Sequence, residues 1–120
     1  MIHYEVLSDL IEVKTAHNKT LLHDLVDMFI QQTPDRLRKI DSAIKEKNKD
    51  QILRIAHALK ASCGYLGAGQ MTGLCSELEE MGKSEDSLNS TTASIWLSAL
   101  EESYEESSSE LRNYIKDRFH

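Results

Sequence analysis

The chain has 120 residues, and its 14 Lys and Arg residues against 20 Asp and Glu residues give a formal net charge of −6 at pH 7. This acidic balance, without any dense basic patch, argues against nucleic acid as a partner. No apolar run approaches the roughly 20 residues of a transmembrane helix, and the N-terminus lacks the basic and apolar blocks of a signal peptide. We therefore expect one cytoplasmic domain over residues 1–120, without a membrane partner.

Apolar residues recur along most of the chain at the spacing of a helix, and no strand-like alternation competes with them. Residues 4–14 predict a short first helix. Asn18 is a suitable N-cap for a long second helix that runs to about Lys47. Pro34 lies inside this segment, but the apolar positions keep the same period on both sides of it, so the pattern predicts one kinked helix.

The third and fourth predicted helices are bounded by recognisable cap residues. Asn48, with Gln51 three residues later, resembles a capping box at the start of the third helix. Gly67 is suited to the left-handed position that ends it. The fourth helix is predicted over residues 68–81, with Gly82 as its stop.

The C-terminal part of the chain predicts one long loop and one long helix. Residues 83–90 are polar and typical of a loop, and a final helix is predicted from about Thr91 to Arg118. Three consecutive serines, residues 107–109, are poor helix formers and predict a loosened stretch there. Because short connections imply antiparallel neighbours, we expect an all-α fold, an up-down antiparallel four-helix bundle with a short additional N-terminal helix.

The two cysteines, Cys63 and Cys75, lie on the apolar faces of different predicted helices. They form no C-x-x-C pair, and no histidine lies at the spacing of a zinc ligand. A metal site built from His23, His57 or the termini has no supporting spacing either. The sequence therefore predicts buried free thiols and no metal site.

His57 lies on the polar side of the third predicted helix. At about 100° per residue, the residues within about 60° of its direction include Leu53, Lys60, Ala61 and Gly64. The apolar stripe of the helix is centred on the opposite side. A histidine satisfied within the core therefore fits poorly, and the alternative that remains is an ordinary surface histidine.

Three features favour a reactive imidazole at this position. Lys60, three residues on, can reach an anion bound to the ring. Ala61 and Gly64 leave the ring uncovered, and a glycine within a helix suggests a close approach, because it costs about 0.5–1 kcal/mol relative to alanine. A neutral imidazole is also a nucleophile. The pattern suits a side chain that accepts a phosphoryl group from a docked partner.

The segment from Ala56 to Gly69, AHALKASCGYLGAG, resembles the signature of the histidine-containing phosphotransfer (HPt) domains. The resemblance spans about residues 20–115 and includes the second predicted helix at FIQQTPDRL. The positions that match the signature are Ala56, His57, Leu59, Lys60, Ser62, Leu66, Gly67 and Ala68, followed by Leu74, Cys75, Leu78 and Glu79.

This resemblance implies a monomeric phosphoryl carrier of a multistep two-component phosphorelay rather than an enzyme. His57 would take the phosphoryl group from the aspartate of one receiver domain and pass it to another, and Lys60 would stabilise the phosphate. The partners implied are response-regulator receiver domains and a hybrid sensor histidine kinase. The resemblance places Mg²⁺ and most catalytic groups on the receiver, so we expect no cofactor on this chain.

Two positions differ from the family pattern. Ala61 occupies the place of a glycine that usually follows the lysine, and its methyl group is expected to narrow the approach to the ring and so to affect the transfer rate or the range of partners. Glu79 stands where several relatives have a glutamine that hydrogen-bonds the histidine, and it is expected to orient the imidazole through Nδ1. Leu53, Ala61 and Gly64 are the expected receiver-docking residues around His57.

Two other classes of function remain open from the sequence. One is a helical interaction module that binds receiver domains without carrying phosphate; phosphate labelling would separate it from a carrier. The other is the dimerisation segment of a histidine kinase. Such segments typically follow the histidine with an acidic residue and, soon after, a proline, whereas Ala58, Leu59 and Lys60 follow it here.

Overall fold

The computed structural model describes residues 2–5, 7 and 21–118, and no strand occurs among them. The described helices are α1 (Leu21–Lys45), α2 (Lys49–Tyr65), α3 (Gly69–Lys83) and α4 (Ser90–Arg118). Each packs against the next, and α4 packs back against α1, which closes a ring of four. The connections are short, so sequential helices run antiparallel. The all-α four-helix bundle predicted from the sequence is confirmed.

The predicted first helix and the proposed cap Asn18 lie largely outside the described residues. Within the described part, the backbone N–H of His3 donates a hydrogen bond to the Gly67 carbonyl at 2.8 Å. The Tyr4 hydroxyl donates to a Glu110 carboxylate oxygen at 3.0 Å. Leu7 is completely buried. These contacts place the N-terminal residues against the turn between α2 and α3 and against α4.

Helix α1 is continuous through Pro34, as the unbroken apolar period predicts. It ends at Lys45 rather than Lys47, because Lys47 adopts a left-handed conformation with φ of 55°. The Asn48 N–H then donates to the Ala43 carbonyl at 2.8 Å, which closes the helix end. The polypeptide reverses there and enters α2.

Both predicted caps of α2 are confirmed. The Asn48 side chain accepts a hydrogen bond from the Gln51 backbone N–H at 3.1 Å. At the other end Gly67 has φ of 71°, and the Ala68 N–H donates to the Cys63 carbonyl at 2.9 Å. These two caps fix the length of the helix that carries His57.

The prediction that Gly82 stops the fourth predicted helix was wrong, because α3 continues to Lys83. A Cβ atom added to Gly82 would lie 2.8 Å from the Leu53 Cβ and 3.0 Å from the Leu53 Cα. Glycine is therefore needed at this point for the close approach of α3 to α2. Near the C-terminal end of α3, the backbone at Gly82 therefore packs directly against Leu53 of α2.

The loosened stretch predicted at the three serines was also wrong, because α4 is an unbroken helix from Ser90 to Arg118. Ser107 and Ser108 are buried against the bundle. The Ser108 hydroxyl donates to the Glu105 carbonyl at 3.1 Å, within its own helix. Small side chains fit this packed interface, and tertiary packing overrides their low helix propensity.

Cys63 and Cys75 are free thiols, both completely buried, as predicted. They belong to α2 and α3, and a hydrogen bond between them raises the pKa of Cys75, with burial acting in the same direction. The thiols therefore belong to the core between these two helices. Lys60 lies about one turn before Cys63 on α2, and Glu79 lies about one turn after Cys75 on α3.

Candidate functional site

The imidazole of His57 projects from the middle of α2 into solvent, and its side chain is 70% exposed. Ala56, Leu59 and Cys63, on the other side of the same helix, are completely buried. The core stripe thus holds α2 in one rotational setting, and that setting turns His57 outward. The ring lies on a convex helix surface rather than within an enclosed pocket.

On one side of the ring the neighbouring residues of α2 have small side chains or none. Ala61 is exposed, and a Cβ atom added at Gly64 would meet no atom within 4 Å. Leu53, one turn before His57, is half-buried because it packs against Gly82 of α3. The open approach to His57 therefore lies over Ala61 and Gly64, whereas Leu53 presents only part of its side chain.

Glu79 lies on α3 directly beside the ring, and only 5% of its side chain is exposed. Its Oε1 is 3.0 Å from His57 Nδ1. An ionised carboxylate can only accept hydrogen bonds, so the shared proton belongs to Nδ1. In the neutral ring the lone pair then resides on Nε2, the nitrogen that is available to an electrophile.

Two lysines pair with the same carboxylate. Lys60 Nζ lies 2.5 Å from Glu79 Oε2, and Lys83 Nζ lies 3.5 Å from Oε1. The hydrogen bond from Lys60, followed by that from His57, lowers the pKa of Glu79 from 4.5 to about 2 against the opposing effect of burial. The carboxylate is therefore ionised throughout the neutral range, and the group that bonds His57 Nδ1 is itself paired with two ammonium groups.

Comparison with known protein families identifies the domain. The Hpt domain model matches residues 24–115 of this chain. This chain belongs to the Hpt domain family. The match includes His57, Lys60 and Glu79, the three residues that the structure brings together.

The relatives of this Hpt domain are longer signalling proteins. The signal transduction histidine-protein kinase BarA of Escherichia coli is 29% identical over 73 residues, 60% of this chain and 8% of BarA. The sensor protein TorS of the same organism is 36% identical over 59 residues, 49% of this chain and 6% of TorS. The phosphorelay intermediate protein YPD1 of Candida albicans is 31% identical over 58 residues, 48% of this chain and 32% of YPD1. The chain thus spans less than a third of each of these proteins.

Some residues at the site of this Hpt domain were not found from the sequence. Lys83 was missed, although its position four residues after Glu79 on one helix is the spacing at which side chains meet. Two exposed residues near α2, Met28 and Tyr65, were not singled out from the sequence either: they are 50% and 63% exposed and line a small groove between α1 and α2. No local pattern in the sequence shows that α1 brings Met28 into the same groove as Tyr65.

Across residues 2–5, 7 and 21–118, no three or more His, Cys, Asp or Glu side chains are grouped so that they could hold a metal ion. None of the helices in the described part of the chain combines the length and the apolar character needed to cross a bilayer.

Proposed function

We propose that this Hpt domain carries phosphoryl groups in a multistep two-component relay, with His57 Nε2 as the acceptor atom. The observation that supports this most directly is the exposed ring whose Nδ1 is bonded to a buried carboxylate at 3.0 Å. That arrangement fixes the ring, keeps the proton on Nδ1 and leaves Nε2 free for a partner. The carrier itself needs no enclosed pocket, because its ring enters the partner's site.

In the proposed reaction a phosphorylated receiver domain docks over α2 and places its aspartyl phosphate in line with Nε2. Phosphoryl transfer depends mainly on positioning and on stabilisation of charge. The receiver provides Mg²⁺ and most of the catalytic groups, whereas this domain provides the nucleophile. Lys60 neutralises part of the phosphoryl charge once the group is on His57. A second receiver then removes it by the reverse reaction.

The docking surface in this proposal is centred on the exposed helix surface beside His57, at Ala61 and Gly64. Ala61 and Gly64 admit the receiver close to the helix, and the exposed part of Leu53 borders the contact on the side of α3. Met28 and Tyr65 extend the surface towards α1 with apolar side chains that are half or more exposed. Apolar anchors surrounding a reactive polar group suit a transient protein interface.

The names of the relatives support receiver-containing signalling proteins as partners, and a hybrid sensor histidine kinase is the donor that we propose. A monomeric, cytoplasmic carrier stays a prediction. The competing function, a helical module that binds receivers without phosphate, does not need a carboxylate fixed on Nδ1 or ammonium groups paired with that carboxylate. The observed Glu79, Lys60 and Lys83 contacts therefore favour the carrier.

The test is incubation of the purified chain with a phosphorylated receiver, followed by mapping of the acid-labile phosphate. We expect label on His57 in the natural chain and none in His57→Gln. His23→Gln, which alters a histidine on α1, is the matched control and should label normally. Undiminished labelling of His57→Gln would refute the assignment.

A further inference from the structure

The side chain that faces His57 Nδ1 is a charged carboxylate, and this charge has consequences for the phosphorylated ring. In the proposed transfer the Nε2 lone pair forms a bond to phosphorus, and the bond from phosphorus to the aspartyl oxygen breaks with its electron pair going to the carboxylate. The Nδ1 proton stays where it is. The product ring therefore carries a positive charge, which forms with its Nδ1 only 3.0 Å from Glu79 Oε1.

We propose that Glu79 is a positioning residue that keeps phosphorylated His57 protonated on Nδ1, the form that releases its phosphoryl group readily. Cleavage of the P–N bond in that form returns a neutral imidazole. Cleavage in the deprotonated form would instead have to expel an imidazolate anion. This inference rests on the proposed function of His57 and adds the control of how long the phosphoryl group stays there.

The charges around the ring support this role for Glu79 in particular. The charged side chains that flank His57 within α2 are Arg54 and Lys60. Helix α3 carries Glu77, Glu79, Glu80 and Lys83, and α1, which also packs on α2, carries Arg36 beside Ser62. Lys60 and Lys83 contact the Glu79 carboxylate, and Arg36 donates a hydrogen bond to Ser62. Glu80 lies 3.9 Å from Lys83 and is 74% exposed. Glu79 is thus the carboxylate that bonds the ring, and it is buried, where an opposite charge acts more strongly.

The experiment uses potassium phosphoramidate to phosphorylate the full chain without any receiver, with His57→Gln as the blank. The loss of phosphohistidine is then followed from pH 5 to pH 10. In Glu79→Gln an amide oxygen can still accept the Nδ1 hydrogen bond, but the charge is gone. We expect the midpoint of the rate profile to fall by about one pH unit in this variant, because a nearby opposite charge favours the protonated ring.

Between the two midpoints the phosphohistidine of Glu79→Gln should last up to about tenfold longer than that of the natural chain, as a shift of one pH unit implies. Well below and well above both midpoints the two profiles should coincide. Glu80→Gln removes the same charge from the neighbouring position on α3 and is the matched control. Its profile should overlay that of the natural chain.

Coincident profiles for Glu79→Gln and the natural chain would overturn the inference, as would equal shifts in Glu79→Gln and Glu80→Gln. If Glu79→Gln fails to fold by circular dichroism, ¹⁵N NMR of the phosphorylated natural chain decides instead. Its Nδ1 should then titrate at a higher pH than phosphohistidine in a short peptide, and an equal or lower midpoint contradicts the inference. A chain that phosphoramidate labels at His57 but no phosphorylated receiver labels would refute the proposed relay without altering this comparison.

Discussion

At the scale of single residues, Lys60 lies three residues after the proposed acceptor on the same helix, and it is bound to Glu79 before any phosphate arrives. A phosphoryl group on His57 would compete with that carboxylate for the same ammonium group. We expect Lys60→Ala to slow transfer from a phosphorylated receiver about tenfold, which corresponds to about 1.4 kcal/mol in the barrier. Rapid-quench measurement of transfer and of phosphohistidine lifetime checks this. Lys39→Ala, a lysine of α1 paired with Asp35, should leave both values unchanged.

At Gly64 a substitution is expected to change the stability of the fold and the rate of transfer in opposite directions. A Cβ atom added there meets no neighbouring side chain or helix within 4 Å, and a glycine inside a helix costs about 0.5–1 kcal/mol relative to alanine. Gly64→Gln should therefore raise the free energy of unfolding by about 0.5 kcal/mol. It should nevertheless slow transfer from a receiver at least tenfold, because the longer side chain covers the approach to His57.

Gly73 provides the control for this variant, since it is also exposed and has no atom within 4 Å of an added Cβ. Gly73→Gln should give the same gain in urea stability with normal transfer. If the two glutamine variants transfer equally fast, the docking surface does not include Gly64.

The sequence predicts that the His57 side chain faces solvent, because this depends only on the spacing of apolar residues within one helix. The apolar stripe of α2 determines which side is buried, and local spacing places Lys60 within reach. The contacts made by Glu79 depend on how α3 is rotated and translated against α2, which no spacing within either helix defines. The sequence therefore suggested Glu79 only through a family resemblance, and its burial and its bonds to His57 and Lys60 came from the structure.

At the scale of helices, the close packing of α3 on α2 depends on Gly82. An added Cβ would lie 2.8 Å from the Leu53 Cβ and 3.0 Å from the Leu53 backbone, so the helices would have to separate. We expect Gly82→Ala to lower the free energy of unfolding by about 1–3 kcal/mol, in spite of alanine's better helix propensity. Gly73→Ala in the same helix should raise it. Urea unfolding of the two variants gives the comparison, and a stabilised Gly82→Ala would show that this contact is loose.

Helix boundaries were predictable where the signal is local and not where it depends on packing. Asn48 and Gly67 act through hydrogen bonds to residues a few positions away, so their sequence patterns were sufficient. Gly82 has the same local appearance as a stop, yet its function is contact with Leu53 of another helix. Ser107 and Ser108 likewise look unfavourable in isolation, yet both are buried within the unbroken helix α4. Tertiary packing decided both of these exceptions.

At the scale of the whole molecule, the ion pairs of Glu79 link the site to the acid stability of the bundle. Its pKa is lowered in the folded chain from 4.5 to about 2, chiefly by Lys60 and then by His57. A carboxyl group with a lowered folded-state pKa stabilises the fold above its unfolded pKa, and this contribution is lost as the pH falls towards the folded value. Acid should therefore remove the contribution of Glu79 between about pH 4.5 and pH 2.

Within residues 21–118 four helices pack around one core, so loss of contact between α2 and α3 should appear as loss of the whole bundle rather than of a part. We expect Glu79→Gln to be less stable than the natural chain at pH 7, and the difference between them to shrink steadily below pH 4.5. Urea unfolding at pH 7, 4.5 and 3 measures this, with Glu80→Gln as the exposed-carboxylate control. A constant difference across these pH values would mean that the Glu79 carboxylate has the same proton affinity in the folded and unfolded chain, and that its bonds to Lys60 and His57 do not stabilise the bundle.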